Sequence, residues 1–318
     1  MTVAETTRAE RGPVLALRST SAGRRWRVAR GTRRVPFLFA VPSIVGLMLL
    51  MVYPTVYLLG LAFTESNLAR PLQRWTGITN FTDALRSTAF PGSIGRSVVF
   101  AAAATVLVVV VGTALALLLR ARGDRLGVLG VVLLLPLVTP PVMVGVAWKL
   151  MLAPVGGAFA GIWSRVGLDG FNPLGSSTGA FLTLLLIYTW QWMPLVTILV
   201  FAALLDVPRD LVEAAQLDGA GRISVFRHVV WPAIRTSVWA VLVLALVLGF
   251  KVFDLVVVVT SGGPGFSTML SSFFIYRTGL QNSYEIGVAS AATVIFVAVV
   301  SAVMAIVGIA RKRAVAES

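Results

Sequence analysis

The sequence predicts an all-α fold that crosses a bilayer six times. Three observations predict it. Of the 318 residues, 57% are hydrophobic and 13% charged, whereas soluble domains run at about 45–50% and roughly 25%. The apolar residues gather in six long stretches, each able to supply the ~20 residues that a helix needs across a ~30 Å hydrocarbon core. The basic residues fall mostly between those stretches, where charges that orient helices in a bilayer belong.

Taken in order, the chain opens on a basic tail, 1–35, with nine arginines. TRRVPFLFA (32–40) faintly resembles a twin-arginine signal. The apolar stretch behind it is too long for a signal-peptide core and no small-residue cleavage site follows, so an uncleaved first helix is expected. The six spans are expected over 37–63, 94–119, 126–152, 179–205, 236–260 and 286–310, inside a membrane domain of 36–310. Between the first and second lies a polar loop, 64–93. RARGDR (120–125) joins the second to the third, and a loop rich in Gly, Ser and Asn (153–178) joins the third to the fourth. The loop 261–285 starts with SGGPG, a strong turn signal. A short tail, 311–318, closes the chain.

Orientation follows from counting Lys and Arg. The two tails, 120–125 and 206–235 hold nineteen; the alternate loops hold six. The positive-inside rule therefore places both termini in the cytoplasm, with the segment between the fourth and fifth spans. The formal net charge of +14 is thus a membrane signature rather than a nucleic-acid one. Other classes are poorly served. Cysteine is absent and histidine occurs once, leaving no disulfide framework, no thiol chemistry and no His-based metal site. No GxxxxGK[ST] phosphate loop occurs. SGGPG (261–265) lacks the lysine and GGAFAG (156–161) is not GxGxxG. Ser, His and Asp are not arranged for nucleophilic catalysis. The chain is expected to be no enzyme and to bind no cofactor.

The stretch EAAQLDGAGRISVFRHVVWPAI (213–234) interrupts the apolar pattern. Pro208 and Asp210 signal a helix start, and Leu211, Ala214, Ala215 and Leu217 lie on roughly one face. Gly219 and Gly221 break that helix. A second amphipathic stretch carries Val225, Phe226, Val229 and Val230, and Pro232 marks entry to the fifth span. On spacing alone this is a helix–turn–helix at the membrane surface, either a plain interfacial connector or a docking element.

This stretch resembles the EAA loop of the membrane subunits of bacterial ABC importers. That motif is EAA, three residues, Gly, nine residues, a β-branched aliphatic, one residue, Leu-Pro. Here it stands as Glu213-Ala214-Ala215, Gly219, Val229 and Trp231-Pro232, with Trp231 as the one departure. The sugar-importer form EAAxxDGAxxxxxF also matches through Asp218, Gly219, Ala220 and Phe226. YTWQWMPL (188–195), FKVFDLVVVVTSGGPG (250–265), YRTGL (276–280) and GVASA (287–291) extend the resemblance over nearly all the chain after residue 36, to the first permease of carbohydrate importers of the maltose and glycerol-phosphate type. The resemblance implies a type I ABC importer permease fold in a bacterial inner membrane. It implies that 206–234 couples to a cytoplasmic ATPase through Glu213, Ala214, Ala215, Asp218, Gly219, Ala220, Phe226 and Pro232. The implied partners are a second, similar permease in a heterodimer, two ATPase subunits that use ATP and Mg, an extracytoplasmic solute-binding protein, and a carbohydrate. The turn at Gly262, Gly263 and Pro264 is then a candidate contact for the binding protein, or a simple turn closing the fifth span.

Ionisable residues inside a membrane are costly and suggest function. Lys251 and Asp254 sit at i and i+3 of the expected fifth span, on one face. They are read either as a structural ion pair or as lining for a translocation path. Lys149 is expected to snorkel from the third span. Tyr188, Gln191 and Trp192 cluster in the fourth span; they suit a saccharide, with aromatic faces beside an amide, or an interfacial belt. An importer for a phosphorylated polyol or a polyamine is the nearest rival function. An ATPase-independent secondary transporter needs acidic or histidine relay residues at mid-span, for which only Asp254 offers itself, and a non-transporting scaffold leaves the EAA spacing unexplained.

Overall fold

The computed structural model describes residues 34–123, 127–281 and 284–316. The expected basic tail lies outside these up to residue 33. Among the described residues, five helices are long and apolar enough to cross a membrane, and six when one bent pair counts as a single span. The only strands among them, Thr64–Glu65 and Arg74–Trp75, form a small antiparallel hairpin. It is held by the Arg74–Glu65 ion pair at 3.4 Å and by Trp75 stacked on Phe63.

The chain divides into two compact units, Met1–Tyr53 and Pro54–Ser318. The first contains, among its described residues, the helix Arg34–Leu47 and a π-helical turn, Met48–Val52. Its large apolar side chains from Val41 to Tyr53 are exposed. A helix with apolar side chains exposed all round is suited to a lipid or protein environment.

The second unit holds the core. The helices Phe90–Ala121, Ser177–Leu205 and Arg222–Phe250 bury Phe100, Val108, Leu184, Val200 and Ile234 between them. Small residues let their backbones approach. A Cβ on Gly112 would lie 2.7 Å from Val196 Cβ, and one on Gly249 would lie 3.1 Å from Ala101 Cα. Ser97 and Ser93 of the second span reach Ser271, so polar groups also tie distant segments inside the bundle.

Two spans depart from the sequence expectation. The third, expected over 126–152, is broken: Gly130–Val138 and Pro141–Met151 meet at 100°. Pro140 is extended at φ −55°, ψ 136°, and each proline of the Pro140–Pro141 pair lacks the N–H that would continue the ladder. The fifth, expected to enter at Pro232 and end at 260, is one helix from Arg222 to Phe250. Pro232 is tolerated because a π-helical turn, Phe226–Val230, precedes it, and Trp231 N–H reaches back to the Phe226 carbonyl. At the other end Lys251 turns the chain. Phe250 packs with Leu246 and Phe296, whereas Val252, Leu255 and Val256 enter the main core. The apolar run therefore continues in sequence while its direction changes. The last span, Ile286–Arg313, starts beside the hairpin, where Asn80 Nδ2 donates to the Ala62 and Thr64 carbonyls at 3.0 and 2.9 Å.

Candidate functional site

The break after Phe250 builds the site. With the chain turned at Lys251, that side chain and Asp254 both face a cleft of about 180 Å³ that Pro141, Tyr188, Gln191, Trp192 and Phe253 also line. All five residues singled out from sequence as candidates for a solute path thus meet in one cavity. Lys251 and Asp254 do not share a helical face and no ion pair joins them; each is exposed in the cleft. The expectation of an i, i+3 pair is corrected, because the helix that would carry it ends at Phe250.

The fourth span presents its polar and aromatic groups near the middle of the helix Ser177–Leu205. Tyr188 and Trp192 stand with ring centroids 6.1 Å apart, and Tyr188 also meets Phe100 edge-on at 5.7 Å. Tyr188 is 3% exposed and Gln191 2%. A belt residue at a lipid–water interface needs to reach both phases, and neither does. Gln191 Nε2 donates to the Thr139 carbonyl at 3.3 Å, and its Oε1 has no protein partner. Sequence reasoning missed Thr139 and Pro141. The adjacent Pro140–Pro141 pair was the signal that could have found them. Lys149 is exposed, and its Nζ donates to the Val258 carbonyl at 3.0 Å, tying the second limb of the third span to the turn Val256–Thr260.

The segment between the fourth and fifth spans forms a separate surface. The helix Arg209–Leu217 carries Glu213, Ala214 and Ala215, with Glu213 and Ala214 exposed and Ala215 half-buried. Asp218 caps its end, and Gly219 follows at φ +82°. Ala220 N–H bonds the Ala215 carbonyl and Gly219 N–H the Gln216 carbonyl, both at 3.0 Å. This is the paired 6→1 and 5→2 closure that a left-handed residue makes possible. Leu217 and Ile223, on either side of the turn, are 88% and 84% exposed. Large apolar side chains exposed in a polar segment suit a protein or membrane contact. Of the face read as Leu211, Ala214, Ala215 and Leu217, Ala215 is half-buried and the other three are exposed, and Val212 packs inward instead. Phe226 and Trp231 pack together at 6.2 Å beside the exposed Pro232. His228 bonds only within its own helix, to Ser224.

In the turn after Thr260, Gly262 is buried against the Phe273 ring, and Gly263 and Pro264 are half-buried. Thr268 Oγ1 bonds both the Thr260 hydroxyl and the Gly263 carbonyl at 2.8 Å. The exposed tip is Gly265 and Phe266, with the Arg277 guanidinium 5.7 Å above the Phe266 ring.

The profile of the family described as "Binding-protein-dependent transport system inner membrane component" matches residues 109–315. The chain is 30% identical to the diacetylchitobiose uptake system permease protein DasB of Streptomyces coelicolor, over 93% of this chain and 94% of that one. It is 27% identical to the trehalose/maltose transport system permease protein MalF of Thermococcus litoralis, over 80% of this chain and 86% of that one. A crystal structure of a bacterial ABC transporter involved in import of the acidic polysaccharide alginate contains a chain of the same fold. Its TM-score is 0.77 at 22% identity, covering 88% of this chain and 96% of that one.

Proposed function

The chain belongs to the inner-membrane components of binding-protein-dependent transport systems, and from that premise we propose that it forms half of the translocation pathway of an ATP-driven carbohydrate importer. It is a multi-pass permease subunit. Its partners in this reading are a second permease that closes the pathway as a heterodimer, two ATPases on the cytoplasmic face, one of them docked on the Gly219 turn, and a solute-binding protein on the opposite face. Both termini are cytoplasmic. ATP and Mg act in the partner ATPases, and this chain binds neither.

The observation that carries the solute class is the composition of the cleft. It presents aromatic faces at Tyr188 and Trp192, an amide at Gln191, and one cation and one anion, Lys251 and Asp254, that do not neutralise each other. Aromatic faces and separate donors and acceptors suit a neutral polyhydroxyl solute. A phosphorylated polyol calls for surplus positive charge and a polyamine for surplus negative charge, and a cleft with one of each supplies neither. Saccharides named for the two relatives agree with this reading.

Two measurements test it. Tagged chain solubilised gently is expected to bring a second permease and an ATPase; their absence under conditions that preserve known complexes removes the importer reading. In the reconstituted complex, Asp254→Asn and Lys251→Gln are each expected to raise the solute concentration for half-maximal uptake roughly tenfold, the scale of one hydrogen bond to a charged group. Uptake unchanged in both variants excludes this cleft as the path.

A further inference from the structure

The break in the third span leaves the Thr139 carbonyl outside both limbs. The ladder of the second limb starts with Val144 N–H on the Pro140 carbonyl, so the Thr139 carbonyl lies before it. The group that reaches Thr139 is the Gln191 amide, from a different helix, at 3.3 Å. A carbonyl only accepts, so the Nε2 end must face it and the Oε1 end must face elsewhere. That Oε1 is buried and has no hydrogen-bond partner. Gln191 and Pro141, on the two sides of this contact, both line the solute cleft.

We infer that Gln191 is a two-position latch: its amide holds the third-span bend when the cleft is empty and turns to a solute hydroxyl when it is filled. The inference rests on the reading of the cleft as the solute path and adds its regulation. Two features favour exchange. The bond to Thr139 is longer than the 2.9–3.0 Å at which N–H···O bonds cluster, so a solute hydroxyl can compete with it. The unpartnered Oε1 gains a donor when a hydroxyl arrives. Occupancy of the cleft and retention of the bend then compete for one side chain, and solute entry frees the limb Pro141–Met151.

The chain has no cysteine, so a pair of introduced cysteines is unique. Val132 and Met143 are exposed on the two limbs of the bend. Spin labels at Val132→Cys and Met143→Cys, in the complex with its permease and ATPase partners, report the bend as a distance distribution. Maltose, diacetylchitobiose and glycerol serve as polyhydroxyl probes. The wild type is expected to show one narrow distribution that at least one probe displaces. Gln191→Met, which keeps the volume but loses both hydrogen-bonding ends, is expected to show a displaced or broadened distribution without probe and to lose the response. Gln191→Glu keeps the acceptor and loses the donor, so it is expected to start displaced and still bind the probe. A Gln191→Met distribution that coincides with the wild type overturns the latch, as does a wild type that none of the three probes displaces. Asp254→Asn separates the two readings. If that variant and Lys251→Gln both titrate with probe like the wild type, the cleft reading fails, whereas a displaced Gln191→Met distribution still establishes the hold on the bend.

Discussion

Gly219→Val is expected to abolish coupled uptake while leaving the chain inserted and paired with its permease partner. The residue stands at φ +82°, a conformation that costs an L-residue with a Cβ roughly 1–2 kcal/mol, and more when the side chain is β-branched. No atom lies within 4 Å of the position of an added Cβ, so the penalty is one of backbone strain and not of crowding within the chain. Relieving it means giving up the bonds from Ala220 to Ala215 and from Gly219 to Gln216, which unwinds the end of the helix that carries Glu213, Ala214 and Ala215. The exposed Leu217 and Ile223 then lose their relative placement. A graded series separates turn from contact. Asn tolerates the left-handed region, so Gly219→Asn is expected to retain much of the uptake, with Gly219→Ala below it and Gly219→Val lowest. Uptake in proteoliposomes and ATPase retention on the tagged chain are the readouts. If Asn fails as completely as Val, the partner needs bare backbone at that position, and the strain account is wrong.

Gly112→Val is expected to be the most damaging single change inside the bundle. An added Cβ would sit 2.7 Å from both Cβ and Cγ1 of Val196 and 3.1 Å from the Met193 carbonyl oxygen. The first two atoms belong to a stiff β-branched side chain and the third to helix backbone, so neither yields by a simple rotation. Overpacking of this kind costs about 1–3 kcal/mol and sometimes more. Because it drives apart the second and fourth spans, whose buried residues include Val108, Leu184 and Val200, the thermal midpoint of the solubilised chain should fall sharply. Val196→Ala in the same chain removes the opposing methyls and is expected to recover most of the loss. A double variant no more stable than Gly112→Val locates the damage elsewhere.

Much of this was legible in the residues. Apolar runs give span number because a bilayer imposes length, and the left-handed requirement at Gly219 is written in the residue type itself. Direction was less legible. Hydropathy along 126–152 is continuous across Pro140 and Pro141, and along 236–260 it is continuous across Lys251, because apolarity counts residues without recording where the axis turns. The prolines carried the first break openly. The second has no comparable signal: it arises because Phe250 and Val256 enter different apolar clusters. The five residues named from the sequence line one cleft, with the wrong local geometry for two of them. Burial was the other blind spot. Gly262 reads as an exposed turn residue, yet it lies against Phe273, because the strand of contacts from Thr268 folds the turn inward.

The unbroken helix from Arg222 to Phe250 has a mechanical consequence. Its 29 residues make a rod of ~44 Å at 1.5 Å per residue, longer than the ~30 Å hydrocarbon slab, with the cleft's Lys251 at one tip and the Gly219 turn at the other. A tilt of about 5° applied at one end of a rod of that length sweeps the opposite tip through roughly 4 Å, comparable to the width of a hydrogen-bonded contact. The π-helical turn Phe226–Val230 lies near the Gly219 end of the rod, with the regular α-helical length beyond it. In the proposed importer, a stroke delivered at that turn by a docked ATPase reaches the cleft along this one rod.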